Sequence, residues 1–128
     1  MPASYRIDTL LGCVFANFYG IVTEADLEEY FRALLADPNF NTSYKHLIDT
    51  RKTTETQMRI EYINSLARRG GSLPPDIMQA FVASSDLSYG LLRMYIAQHP
   101  ESNKMEVFRD YEEACRWLGL PDTDSQTS

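Results

Sequence analysis

What most constrains this chain is the order of its local patterns: a short hairpin, then strands and capped helices in strict alternation. "YRIDTLLG" and "CVFANFYG" are β-type runs joined around Leu11-Gly12, a hairpin signature. In the second run Val14, Ala16 and Phe18 share one face, and Cys13, Phe15 and Tyr19 the other. Both faces are apolar, which predicts a central strand covered on both sides. Thr23 with Asp26 predicts a helix N-cap, Leu27, Phe31, Leu34 and Leu35 give the helix an apolar stripe, and Pro38 ends it. "YKHLID", residues 44–49, reads as the next strand.

The following stretch, "DTRKTTE", reads as a helix start, with Thr54 and Gln57 as its capping box. Ile60, Ile63, Leu66 and Ala67 would form that helix's stripe and Gly70 its stop. "IMQAFVAS" then predicts a buried strand. Asp86 is the expected N-cap of a helix facing inward with Leu87, Leu91, Met94 and Tyr95. "KMEVF" predicts a last strand, and Asp110 with Glu113 starts a final helix whose inner residues are Tyr111, Ala114, Trp117 and Leu118. The order is β-β-α-β-α-β-α-β-α. It predicts an α/β fold: one mostly parallel, helix-covered sheet with an antiparallel N-terminal edge strand.

The 128 residues fit one domain. It is expected over residues 5–120, after a short extension at 1–4 and before a disordered polar tail at 121–128. The net charge of −6, from 18 acidic and 12 basic residues, argues against a nucleic-acid or anionic-membrane surface, which needs clustered Lys and Arg. No apolar run reaches the roughly 18 residues of a membrane span. The start, "MPASYRID", lacks the pattern of a signal peptide, so a cytoplasmic location is expected. Cys13 and Cys115 are too few and too far apart in sequence for a disulfide framework or zinc site, and both read as small buried hydrophobes.

In parallel sheets, ligands bind beyond the carboxyl ends of the strands. Here those ends are predicted at Tyr19–Thr23, Asp49–Thr54, Ala83–Asp86 and Phe108–Asp110, all opening on one edge beside helix N-termini. Thr23, Thr54, Asp86 and Asp110 are the residue types that caps require anyway. Asp49 is open to either a structural or a functional role, whereas Arg51 and Arg109 have no capping task. The candidate binding residues are Asp49, Arg51, Lys52, Ser84, Ser85, Gly90 and Arg109. Gly90 stands near the start of a helix, where glycine costs about 1 kcal/mol relative to alanine. Close packing, or room for a ligand or partner, would explain it. No phosphate-binding glycine loop, nucleophile elbow or metal-ligand spacing is present, and His46 and His99 are poorly placed for acid–base work. No catalytic residue, cofactor or metal is expected.

The runs "VFANFYGIVTEADLEEYFRALL", "HLIDTR", "SSDLSYGLLRMY" and "KMEVFRDYEEACRWLG" resemble the SpoIIAA-like, or STAS-like, superfamily, in particular its small bacterial single-domain members of uncharacterised function. The resemblance covers roughly residues 5–120 and implies the same parallel sheet with an antiparallel edge strand. In the anti-sigma-factor antagonists of that superfamily the corresponding loop carries D-S-S-G, whose second serine is phosphorylated. Here Asp49 matches, Thr50 replaces the first serine, Arg51 stands at the acceptor and Lys52 replaces the glycine. The acceptor serine is therefore replaced.

Two functions are carried forward. One is a non-enzymatic regulatory or interaction module that binds a protein partner through the loop edge. The other is a binder of a small anionic or amphipathic, lipid-like ligand at the same edge. A homodimer is among the assemblies this reading admits.

Overall fold

The computed structural model describes residues 3–59, 61, 62, 65, 76–97 and 104–121. Five strands form one sheet: β1 (Ala3–Asp8), β2 (Cys13–Thr23), β3 (Lys45–Gln57), β4 (Gln79–Val82) and β5 (Met105–Phe108). Their spatial order is β1-β2-β3-β4-β5. β1 is antiparallel to β2, and every other pair is parallel. Three helices are described: α1 (Glu24–Ala36), α2 (Asp86–Ala97) and α3 (Tyr111–Trp117). β1 begins at Ala3, inside the expected N-terminal extension. The hairpin loop is longer than the Leu11-Gly12 link. It runs from Thr9 to Gly12, with Asp8 Oδ1 accepting from the Leu11 N–H at 2.9 Å and Gly12 at φ 65°.

Strand periodicity divides the core between the two faces. Val14, Ala16, Phe18 and Val22 of β2 are buried against Tyr30 and Leu34 of α1. On the same face Phe81, Ala83, Met105 and Val107 receive Tyr89, Leu92, Tyr95 and Ile96 of α2. The opposite face buries Cys13, Phe15, Leu47, Ala80 and Val82 against Ala114 and Cys115 of α3 and Leu118 at its C-terminal cap. Each fully buried aliphatic side chain contributes roughly 1.5–3 kcal/mol. α1 starts as expected: Thr23 Oγ1 accepts from the Asp26 N–H, and the Asp26 carboxylate accepts from the Thr23 N–H at 2.9 Å. Asp110 caps α3 by accepting from the Glu112 N–H.

Four expectations are corrected. "DTRKTTE" does not start a helix, because β3 runs on through Thr54 to Gln57, paired with Tyr19–Thr23 of β2. The capping-box letters mislead because Thr53, Thr54 and Thr56 are β-branched and suit a strand equally well. Helical backbone follows at Glu61, Tyr62 and Ser65, while Ile60, Ile63, Leu66, Ala67 and Gly70 lie outside the described residues, as do His99 and 122–128. Tyr19 is not covered; it is 39% exposed, because α3 packs on β3, β4 and β5. On α1, Leu35 is exposed and Tyr30 fills the core position. On α2, Leu87 and Met94 face outward, since Tyr89, Leu92, Tyr95 and Ile96 make the apolar seam.

Candidate functional site

Beyond the pair Asp49↔Val82, β4 ends and β3 continues with β2 alone. The carboxyl edge is therefore stepped: a two-stranded β2–β3 overhang stands beside the lower turns that lead into α2 and α3. Asp49, Arg51, Ser84, Ser85 and Arg109 gather on the lower step.

Asp49 ends the part of β3 that is paired on both sides. Its carboxylate accepts from Arg51 Nε at 3.0 Å, Arg51 Nη2 at 2.8 Å and the Arg51 backbone N–H at 3.0 Å. The Arg51 guanidinium also lies over the Tyr111 ring of α3, 4.8 Å from its centroid. The Asp49 hydrogen bonds are the largest influence holding the Arg51 pKa above its ordinary value. Arg109, after β5, is held more loosely, by a single contact to a carboxylate that is 93% exposed and by a tyrosine ring. Its Nη2 is 2.7 Å from Asp86 Oδ1, and its guanidinium lies 4.6 Å over the Tyr89 ring of α2. Each strand-end arginine is thus joined to one carboxylate and stacked on one helix-start tyrosine, an arrangement suited to the flat guanidinium.

The serines are also engaged. Ser84 Oγ donates to the Arg51 carbonyl at 3.2 Å. Ser85 Oγ accepts from the Ser88 N–H at 3.1 Å, so Ser85 caps α2. Asp86, the expected cap, is instead the first helical residue and the partner of Arg109. Thr50 Oγ1 donates to the Val82 carbonyl at 2.7 Å. Lys52 is exposed on the overhang, beside Tyr19 in register. Gly90 is exposed, and a Cβ built there meets nothing within 4 Å, which removes close packing as its explanation.

Tyr89 and Tyr111, which hold the two arginines, are not among the candidates the sequence marks. Their signal is an aromatic residue in the first turn of α2 and of α3, the helices that follow β4 and β5. Leu87, 75% exposed in the first turn of α2, stands at this edge rather than facing inward.

Both cysteines are buried and free. Burial pushes the Cys13 thiol up to about 12 and raises Cys115 as well, away from the reactive thiolate. His46 is buried in β3, and burial lowers its pKa to about 4. Among the described residues no group of three or more His, Cys, Asp or Glu could hold a metal ion, and no helix is long and apolar enough to cross a membrane.

A five-stranded sheet with one antiparallel edge strand, helices on both faces and a parallel remainder defines a SpoIIAA-like fold. A solved structure bears this out over nearly the whole chain: an uncharacterised protein of the DUF3478 family from Shewanella loihica PV-4, described as having that fold. The similarity covers 91% of this chain and 93% of that one, with a TM-score of 0.59 and 15% sequence identity. No family model matches the chain, and no curated protein matches it either. No enzyme family is indicated.

Proposed function

We propose that this protein is a non-enzymatic regulatory or interaction module that binds a protein partner through the carboxyl edge of its sheet. The observation that carries this reading is the double fixation of Arg51 and Arg109. Arg51 is held by both oxygens of Asp49 and the Tyr111 ring, and Arg109 by one contact to Asp86 and the Tyr89 ring, so a free anion would compete with a carboxylate already beside each guanidinium. The edge instead offers charge-paired polar groups, with the exposed side chain of Leu87 next to Asp86 in the chain. Protein interfaces combine such an apolar centre with a polar rim. The anionic or amphipathic ligand reading is the weaker one, because its two best cationic contacts are engaged.

Native mass spectrometry of the protein isolated from its host separates the two. The expected spectrum contains the bare chain, or the chain with a second protein. A small-molecule adduct that survives isolation and disappears in Arg51→Ala would overturn the partner reading.

A further inference from the structure

On the β2–β3 overhang, burial alternates: Phe18 and Val22 are covered by α1, while Tyr19 and Ile21 are 39% and 52% exposed. Parallel strands are normally covered on both faces, and here one face of a parallel pair presents two large apolar side chains to solvent. The β3 side of that face is set by a register irregularity. Tyr19 pairs with Lys52, Gly20 with Thr53, and Ile21 with Glu55, which leaves Thr54 out of register. In-register neighbours in a sheet point to the same face. The irregularity therefore puts Lys52 and Glu55 together on the face of Tyr19 and Ile21, although their spacing in an unbroken strand would put them on opposite faces.

The result is a patch of two rows, Tyr19 beside Lys52 and Ile21 beside Glu55. Among the described residues neither charge is paired with an opposite one: Lys52 has no ion pair, and Glu55 accepts only from the neutral Gln57 amide.

We propose that this patch is a self-association surface, on which a second copy of the chain packs face to face and antiparallel. A two-fold axis running across the strands, between the two rows, places Tyr19 over Ile21 of the second copy. The same operation places Lys52 over Glu55 of the second copy, so apolar meets apolar and cation meets anion twice. That is the self-complementarity an isologous contact requires. A two-fold axis along the strands would instead set Tyr19 over Lys52 and Ile21 over Glu55, apolar against charge. The net charge of −6 opposes general association, so pairing depends on this locally neutral patch. Its small size makes the dimer weak and concentration-dependent. The surface adds to the loop-edge reading without depending on it.

Sedimentation velocity on the whole chain over a concentration series tests the proposal. Wild type is expected to show a salt-sensitive monomer–dimer equilibrium. Lys52→Glu and Glu55→Lys are each expected to weaken it by about tenfold or more, as for close interfacial charge pairs. Both positions are exposed, so the variants should keep the wild-type circular dichroism. In a mixed pair of Lys52→Glu with Glu55→Lys, both contacts again join opposite charges. Mixing the two variants therefore restores dimers, as does the double reversal in one chain. A wild type that stays monomeric throughout overturns the proposal and leaves the loop-edge reading standing. A dimer insensitive to both reversals, or variants that do not recombine, overturns it too.

Discussion

Arg51 grips Asp49 with two parallel hydrogen bonds, Nε to Oδ1 at 3.0 Å and Nη2 to Oδ2 at 2.8 Å, while its guanidinium lies over the Tyr111 ring. This fork ties the end of the paired part of β3 to the first turn of α3. It also occupies the cation best placed to meet a ligand.

Asp49→Asn is therefore expected to have two effects. The Asp49 side chain is only 12% exposed, yet Arg51 is half in solvent, so the loss of stability should be about 1 kcal/mol, near the upper end for partly exposed pairs. The released guanidinium should then bind inorganic phosphate more tightly than wild type does. Chemical denaturation measures the first effect, and titration of the arginine Nε–H signals by NMR measures the second. Equal phosphate binding by both proteins would mean that Asp49 does not occupy Arg51.

Two glycines should respond oppositely to alanine. Gly20 lies in β2 at φ 70°, where an L-residue is strained even though the space around it is open. Gly20→Ala should cost about 1–2 kcal/mol. Gly90 is helical, exposed and also free of neighbours within 4 Å. Gly90→Ala should stabilise the fold by about 0.5–1 kcal/mol through helix propensity. Thermal melts of the two variants check both signs together. A destabilised Gly90→Ala would mean that α2 is not helical at that position.

The parts of this fold legible in the sequence are those set by local signals. Thr23–Asp26 and Asp110 are real caps, and the alternation of strands and helices gives the parallel sheet. The misreadings occur where a local pattern has two physical solutions. Thr54 and Gln57 match a capping box, but the adjacent β-branched threonines extend β3 because β2 also runs on past Phe18 and offers a ladder. Leu87 and Leu91 begin a plausible stripe, but the sheet selects the face of Tyr89, Leu92 and Tyr95. At the candidate site, Arg51, Arg109 and Asp49 are visible as residue types. Their pairing with tyrosines on neighbouring helices depends on tertiary placement, which no spacing rule encodes.

His46 supplies a pH dependence with a definite sign. It is buried, its Nε2 has no hydrogen-bond partner, and burial lowers its pKa from 6.5 to about 4. The unfolded imidazole takes a proton near pH 6.5, whereas the folded one refuses it until about pH 4. Its contribution to stability is complete above about pH 6.5 and declines as the pH falls through that window, by about 3 kcal/mol in all. Urea unfolding at several pH values should show this decline in wild type and a shallower one in His46→Leu. Parallel pH profiles for the two proteins would contradict the buried, neutral histidine.

The loop edge as a protein-binding surface is tested most directly by photo-crosslinking from the edge itself. A photoreactive phenylalanine analogue placed at Leu87, exposed at the start of α2, should give one discrete protein adduct in host lysate. Excess unlabelled wild type should compete that adduct away, and excess Leu87→Asp should not. The same analogue at Leu35, exposed near the end of α1, should give no discrete adduct. No adduct at Leu87, or the same adduct from both positions, would contradict partner binding through this edge.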